Sequence, residues 1–168
     1  MNTSSIILFL SLFIISCNKE RELQRHDING RLIVYNEEVY ANMWAKNRKL
    51  NVTVVDTFCI NQKTRASDDI KNGKLIYFSP PALEFEKLKN ILKVYGIETR
   101  KIYTRCARLG GFEPYCYEIE MQHEIEKRYG RQFIDSLSEI ALKEFVIENP
   151  DQPWIKDGVD LRKKYNLK

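Results

Sequence analysis

Residues 74–109 read KLIYFSPPALEFEKLKNILKVYGIETRKIYTRCARL and predict a strand, a helix and a second strand in succession. The first strand, at 74–79, is rich in apolar and aromatic residues, and two prolines end it. The helix at 82–95 has one apolar stripe, which consists of Leu88, Ile91, Leu92 and Tyr95. Gly96 ends this helix, and the second strand follows it directly, at 97–109. This order, with its short connections, favours two parallel strands joined by a right-handed crossover.

The flanking sequence predicts two more helices, another strand and a long loop. Asn36 caps a helix whose first turn carries two acidic residues. Residues 51–60 contain several β-branched residues and no Gly or Pro, which indicates a strand, and the polar stretch at 61–73 is typical of a loop. A long amphipathic helix at 120–148 follows later in the chain, and Gly130 is expected to bend or split it.

Composition and charge describe one globular domain. The chain has 168 residues, of which 43% are hydrophobic and 30% are charged, and its net charge is +4. This charge is too small for a dedicated nucleic-acid binder, so no nucleic-acid partner is expected. The predicted fold is α+β, a single domain at 31–168. It has a small mixed sheet, a crossover helix, a disulfide-linked hairpin and a long C-terminal amphipathic helix.

The N-terminal segment has the length and polarity of an export signal. Residues 1–16 carry no charged side chain. The apolar run at 6–15 is much shorter than the roughly 20 residues that cross a bilayer as a helix. The segment ends in Ile14-Ile15-Ser16-Cys17, which resembles the lipobox of bacterial lipoprotein precursors.

This resemblance implies a membrane anchor. In such precursors the chain is cut before the lipobox cysteine, here Cys17, whose sulfur carries a diacylglycerol. The new amino group commonly receives a further acyl chain such as palmitate. Two or three acyl chains hold a protein stably at a membrane, whereas one does not. Residues 17–30 would then be the lipidated cysteine and a polar tether without packed structure.

A β-hairpin is predicted around Gly110-Gly111-Phe112, because short strand-like runs lie on both sides of these residues. If the loop contains these three residues, Cys106 lies directly opposite Cys116. Export to an oxidising compartment favours a disulfide between these two cysteines. Cys59 would then be a small buried hydrophobic residue, with pairing to Cys106 or Cys116 as the alternative.

Binding residues are expected in exposed loops and among cationic and aromatic side chains. The hairpin tip around Phe112 and the loop at 61–73 are candidate contact sites, since loops on a rigid support often bind partners. The hairpin region also carries cations and tyrosines that suit an anion or a glycan: Arg100, Lys101, Arg105, Arg108, Tyr115 and Tyr117. The three-residue loop places Arg105 on the apolar side, against Tyr117.

The sequence offers little for catalysis. It contains no Gly-rich phosphate loop, G-x-S-x-G elbow, HExxH helix or CxxC pair. Cys106, Cys116 and His123 are too few and too widely spaced for a structural zinc site, so no metal and no cofactor is expected. Four carboxylates near a strand-to-helix junction could serve a glycosidase: Glu118, Glu120, Glu124 and Glu126. Acidic residues at a helix start are also common without any catalytic role, so no catalytic residue is assigned.

The sequence therefore predicts a lipid-anchored cell-envelope protein, with the outer membrane as the favoured location and a periplasmic or surface-exposed domain. Its expected role is non-enzymatic, as a binding or structural module for a protein or envelope component. Two alternatives stay open. One is an inhibitor or immunity-type protein that acts on an envelope enzyme or toxin, and the other is an envelope hydrolase that uses the Glu118 to Glu126 carboxylates.

Overall fold

The computed structural model describes residues 23–103, 105 and 108–165. This part of the chain is a single compact α+β unit, as the sequence predicts. Cys17 and Cys106, together with the predicted signal segment at 1–16, lie outside the described residues. Within the described residues, no helix is both long and apolar enough to cross a membrane.

Helices and short strands alternate through most of the described chain. The elements are β1 (Ile33–Val34), α1 (Glu37–Lys46), β2 (Thr53–Val54), α2 (Thr57–Lys71), β3 (Leu75–Ser79), α3 (Phe85–Val94), β4 (Ile97–Lys101), α4 (Cys116–Tyr129), α5 (Phe133–Glu148), β5 (Ile155–Lys156), β6 (Val159–Asp160) and α6 (Leu161–Lys164). A 3₁₀ turn, Leu109–Gly111, lies between β4 and α4. The strands form three separate pairs, of which only β3 with β4 exceeds two residues per strand.

The predicted strand–helix–strand unit forms the centre of the fold. β3 and β4 pair in parallel, in a register that places Leu75 opposite Ile97 and Ser79 opposite Lys101. α3 connects the two strands and packs against β4. The parallel pair and the crossover helix are therefore confirmed, although β4 is shorter than the predicted strand.

Helices cover both faces of this sheet, because successive side chains of a strand point to opposite faces. One face carries a core cluster with α3, α5 and the middle of α4, made of Leu75, Leu88, Leu92, Ile97, Ile125, Ile134, Leu137 and Ala141. On the other face, Ile76 packs against Ala66 of α2 and against Tyr117 and Met121 of α4. The central sheet is thus the middle layer of three.

The single helix predicted at 120–148 is two helices. α4 and α5 are separated at Gly130, whose φ of +94° lies in the region that favours glycine. The expectation that Gly130 bends or splits the helix is confirmed. Leu142 and Val146 of α5 then pack against Leu161, which brings the C-terminal segment back onto the body of the domain.

The strand predicted at 51–60 and the loop predicted at 61–73 are wrong. β2 is only two residues long, and the helix α2 occupies the rest. Asp56 caps this helix, since its side chain accepts a hydrogen bond from the Cys59 N–H at 2.9 Å. Ala66 is the only α2 residue that is fully buried, so the helix lacks the apolar stripe by which helices are recognised in sequence.

The hairpin predicted around residues 110–112 is also wrong. The 3₁₀ turn occupies its tip, and α4 begins at Cys116, where the pattern predicts the second hairpin strand. Gly110 lies against the ring of Tyr40 in α1, and a Cβ added to Gly110 would lie 2.7 Å from that ring. Gly110 therefore permits close packing of this loop on α1 and does not serve a turn between paired strands.

Cys116 forms a disulfide with Cys59, and the predicted pair of Cys106 with Cys116 is wrong. The Cα atoms of Cys59 and Cys116 are 5.3 Å apart, and the bond joins the first turn of α2 to the first turn of α4. The prediction failed because it depends on a strand around Cys116, which is helical. Pairing of Cys59 with Cys116 is one of the two alternatives that the sequence left open.

Part of the segment predicted as a tether is packed. Asp27 accepts hydrogen bonds from the backbone N–H groups of Asn29 and Arg31, at 2.8 and 2.9 Å. Its carboxylate also accepts one from the Thr53 hydroxyl in β2, at 2.6 Å. The folded body therefore includes residues that precede position 31.

Candidate anion-binding site

A cleft of about 310 Å³ opens over β4, on the face of the sheet that carries α2 and α4. We call it the cationic cleft, and its lining consists of Arg65, Asp69, Lys74, Phe78, Arg100, Arg105, Tyr117 and Glu118. Four of these side chains are cations and two are carboxylates, so positive charge dominates the lining. The helix α4 packs on β3. The same face of the neighbouring strand β4 is therefore left open beside α4.

Three elements bring the cleft residues together. Arg65 and Asp69 lie four residues apart, so they share one side of α2. Arg100 of β4 lies opposite Phe78 of β3 in the parallel register. Tyr117 lies in the first turn of α4, directly after the disulfide, which holds this end of α4 beside α2.

Tyr117 and Asp69 form the fixed floor of the cleft. Tyr117 is only 4% exposed, and its hydroxyl donates a hydrogen bond to Asp69 Oδ2 at 2.5 Å. Burial, together with the Asp69 carboxylate, raises the pKa of Tyr117 above its usual value. The hydrogen bond from Tyr117 in turn lowers the pKa of Asp69. At neutral pH the pair is therefore a neutral donor and a charged acceptor.

Arg65 lies over the ring of Tyr117. Its guanidinium carbon is 4.4 Å from the ring centroid, which is a cation–π contact. The Arg65 side chain is exposed, and among the described residues no carboxylate lies within salt-bridge distance of it. Its donors are therefore held in place by the ring and remain available to a ligand.

The other three cations of the cleft are partly neutralised. Lys74 Nζ lies 3.3 Å from Asp69 Oδ2, and the Arg100 Nε donates to Glu98 at 2.7 Å. Arg105 lies 3.4 Å from a carboxylate oxygen of Glu118, whose side chain is only 15% exposed. All three cations are exposed, so each retains donors that point to solvent.

Arg105 is tied to the start of α4 by several contacts. Its Nη1 donates to the Pro114 carbonyl at 2.7 Å, and its guanidinium carbon lies 5.4 Å from the centroid of the Tyr115 ring. The Tyr115 hydroxyl also accepts a hydrogen bond from the Arg105 backbone N–H. Arg105 thus faces Tyr115, whereas the hairpin register predicts that it faces Tyr117.

The candidate binding residues divide between two places. Arg105 and Tyr117 belong to the cationic cleft, whereas Arg108 and Phe112 pack the 3₁₀ turn onto α1. Phe112 is 4% exposed and its ring lies edge-on to Tyr40, so the expectation of an exposed tip at Phe112 is wrong. The Arg108 Nε donates to Glu37 at 2.6 Å, and this hydrogen bond lowers the pKa of Glu37. These contacts give Arg108 and Phe112 a structural role.

The four glutamates of the candidate hydrolase cluster also separate, because they lie on different sides of α4. Glu120 pairs with Lys63 at 3.1 Å and Glu124 with Arg128 at 2.7 Å. Glu118 and Glu126 line a neighbouring cavity of about 310 Å³ together with His123. The Arg128 hydrogen bond lowers the pKa of Glu124, which keeps this carboxylate charged. Only two of the four glutamates therefore share a cavity.

No group of three or more His, Cys, Asp or Glu side chains within the described ranges is arranged to hold a metal ion. Comparisons with known proteins add no relative: no family model, no curated protein and no solved structure matches this chain. We therefore infer function from the site itself.

Sequence reasoning did not single out four members of the cleft, Arg65, Asp69, Lys74 and Phe78, although it named the stretch 61–73 as a candidate contact site. Arg65, Asp69 and Lys74 fall in or beside the stretch assigned to a loop, where no side chain can be placed on a common face. A signal was nevertheless present, since Asp56 is a good helix cap at the start of this stretch. A helix beginning there places Arg65 and Asp69 on one side.

Proposed function

We propose that this protein is a lipid-anchored cell-envelope protein that binds an anionic group of a protein or envelope component in its cationic cleft. The anchor would be the lipidated Cys17, and the outer membrane is the favoured location. The ligand group would be a phosphate or a carboxylate, which arginine donors recognise in pairs. The anchor is supported by the lipobox resemblance and the binding by the geometry of the cleft.

One observation carries the binding proposal: the Arg65 guanidinium lies over the Tyr117 ring and forms no salt bridge with a carboxylate of the described residues. Arg100 and Arg105 line the same cleft and are exposed. Several guanidinium groups around a cavity are typical of anion recognition.

Binding without catalysis is supported by the direction of the pKa shifts in the cleft. The pKa of Tyr117 is raised and the pKa of Asp69 is lowered, so both move away from neutrality. A general acid or base works best when its pKa is near the working pH. The floor of the cleft is therefore suited to holding a ligand and poorly suited to transferring a proton.

Calorimetric titration of the full-length protein with inorganic pyrophosphate tests the binding proposal. Arg65→Gln is expected to weaken binding by about tenfold, because it removes one charged hydrogen-bond donor. Arg131→Gln is the matched control, since Arg131 is an exposed arginine outside the cleft lining. Equal affinity of both variants, or no measurable heat with the unmodified protein, would contradict the proposal.

Mass spectrometry of the protein from its own cells tests the anchor separately. An acylated cysteine at the N-terminus, derived from Cys17, is the expected result. An unmodified sulfur or a retained Met1 would contradict lipidation while leaving the cleft proposal intact. Crosslinking in intact cells then distinguishes the partners, because a single tightly bound protein favours an inhibitor or immunity-type role.

A further inference from the structure

β4 has one edge that no described element covers. β3 pairs with its other edge, and the central sheet has only these two strands among the described residues. The Ile102 N–H donates to the Ser79 carbonyl of β3, so the backbone groups of even-numbered residues in this strand point toward β3. The backbone groups of the odd-numbered residues, Ile97, Thr99 and Lys101, therefore point to the open edge. Such an edge is a template for a further strand.

An open groove of about 800 Å³ runs along this edge. Residues 96–99 form one side of it, and Lys89, Asn90 and Lys93 of α3 form the other. Thr99 is only 8% exposed, and its buried Oγ1 has no hydrogen-bond partner in the part of the chain that the structure describes. A buried hydroxyl without a partner is costly. The backbone of Thr99 therefore points to an edge without a partner, and its buried hydroxyl has no partner among the described residues.

The sequence of β4 is complementary to itself. If two copies of the strand pair antiparallel about Thr99, Glu98 of each copy lies opposite Arg100 of the other. These residues then occupy non-hydrogen-bonded positions, where facing side chains are closest. Both are exposed, and within one chain they already contact each other at 2.7 Å. The two-fold axis repeats the pairing, so two ion pairs would form across it.

The same arrangement would satisfy Thr99. The two Thr99 residues lie opposite each other at a hydrogen-bonded position, so each N–H donates to the carbonyl of the other. Their side chains share one face, where rotation about the Cα–Cβ bond would bring the two buried hydroxyls within hydrogen-bond distance of each other. Ile97 and Lys101 of the two copies would supply four more backbone hydrogen bonds.

We propose that β4 is the interface with a second copy of this chain, paired antiparallel about Thr99 to form a continuous sheet in the order β3-β4-β4-β3. The bare edge alone would accept any extended chain. The order glutamate, threonine, arginine at positions 98 to 100 singles out a copy of itself, since it places opposite charges and two threonines face to face.

Sedimentation of the full-length protein in detergent, over a range of concentrations, tests this proposal. The unmodified chain is expected to dimerise reversibly. Glu98→Arg and Arg100→Glu are each expected to weaken the dimer by about tenfold, because like charges then face each other at both ion pairs. The double variant Glu98→Arg/Arg100→Glu restores opposite charges and is expected to recover the dimer.

A backbone variant distinguishes strand pairing from other contacts. Thr99→Pro removes an N–H that points to the open edge, so it is expected to abolish the dimer without breaking a hydrogen bond to β3. Thr99→Val keeps that N–H and is expected to weaken the dimer at most about fivefold. Circular dichroism checks that every variant is folded.

Three outcomes would overturn the proposal. A monomer at all concentrations excludes the dimer, and a dimer that tolerates Thr99→Pro uses another surface. A double variant that stays as weak as the single ones excludes the facing of Glu98 and Arg100. Recovery by the double variant, with loss of the dimer in Thr99→Pro, supports the proposal.

Discussion

At the scale of single residues, the hydroxyl of Tyr117 organises the cleft through its hydrogen bond to Asp69. The sequence identified Tyr117 and Arg105 as binding candidates, because aromatic and cationic residues cluster in that region. It included Arg65 and Asp69 only as part of the candidate contact stretch at 61–73, because their proximity to Tyr117 depends on α2 lying beside α4. The sequence predicts an exposed loop tip at Phe112, whereas the Phe112 ring packs against Tyr40.

Removing the Tyr117 hydroxyl should make stability less sensitive to acid. The hydrogen bond lowers the pKa of Asp69 below its ordinary value of 3.8, so its stabilising contribution is fully present above that value. The contribution is lost as pH falls through the lowered pKa of the folded state. Tyr117→Phe should therefore be less stable than the unmodified protein by about 1 kcal/mol at pH 7, with a smaller difference at pH 2.

Urea unfolding at pH 7, 4 and 2 measures this effect. Tyr35→Phe is the control, because the Tyr35 hydroxyl donates to the backbone carbonyl of Gln24, which does not titrate. Its effect on stability should be the same at all three pH values. A pH-independent difference for Tyr117→Phe as well would contradict the assigned role of Asp69.

At the scale of elements, the sequence predicts best those parts whose apolar pattern is complete. The central strand–helix–strand unit has buried residues on β3, α3 and β4, and its pattern was read correctly. α2 buries only Ala66 fully, so its sequence has almost no periodic pattern of apolar residues. The glycine pair at 110–111 predicts a hairpin turn, because a sequence does not show whether a glycine is needed for a turn or for close packing against another side chain.

Replacing Gly110 by alanine should destabilise the protein more than replacing Gly111. Both glycines have positive φ, so either substitution costs about 1 kcal/mol of strain. At Gly110 the new Cβ also meets the Tyr40 ring at 2.7 Å, whereas at Gly111 nothing lies within 4 Å. Gly110→Ala should therefore lose about 1 to 3 kcal/mol more than Gly111→Ala. Thermal unfolding measures the difference, and equal losses would show that the contact with Tyr40 is unimportant.

At the scale of the whole molecule, the disulfide joins two cysteines that lie 57 residues apart in the chain, on two different helices. The sequence predicts a bond between Cys106 and Cys116, because these two cysteines lie opposite each other in the predicted hairpin. The true pairing depends on the packing of α2 against α4, which follows from the side chains that both helices bury on one face of the sheet. Long-range pairing of this kind is the part of the fold that sequence patterns reveal least.

Loss of this disulfide should destabilise the domain substantially. In the entropic model, a bond that closes a loop of this size stabilises the folded state by roughly 4 kcal/mol. The variant Cys59→Ala/Cys116→Ala should therefore unfold at a clearly lower urea concentration. Peptide mapping without reduction should recover the peptides of Cys59 and Cys116 as one linked species. Recovery of Cys116 linked to Cys106 would contradict the observed arrangement.

Nuclear magnetic resonance of the arginine side chains during titration with inorganic pyrophosphate tests the central claim most directly. If the cationic cleft is the binding site, the Nε–H signals of Arg65, Arg100 and Arg105 will shift together and saturate with one affinity. The signal of Arg131, outside the cleft, will stay in place. Small shifts spread over all exposed arginines without saturation, or no shift at Arg65, would contradict the account.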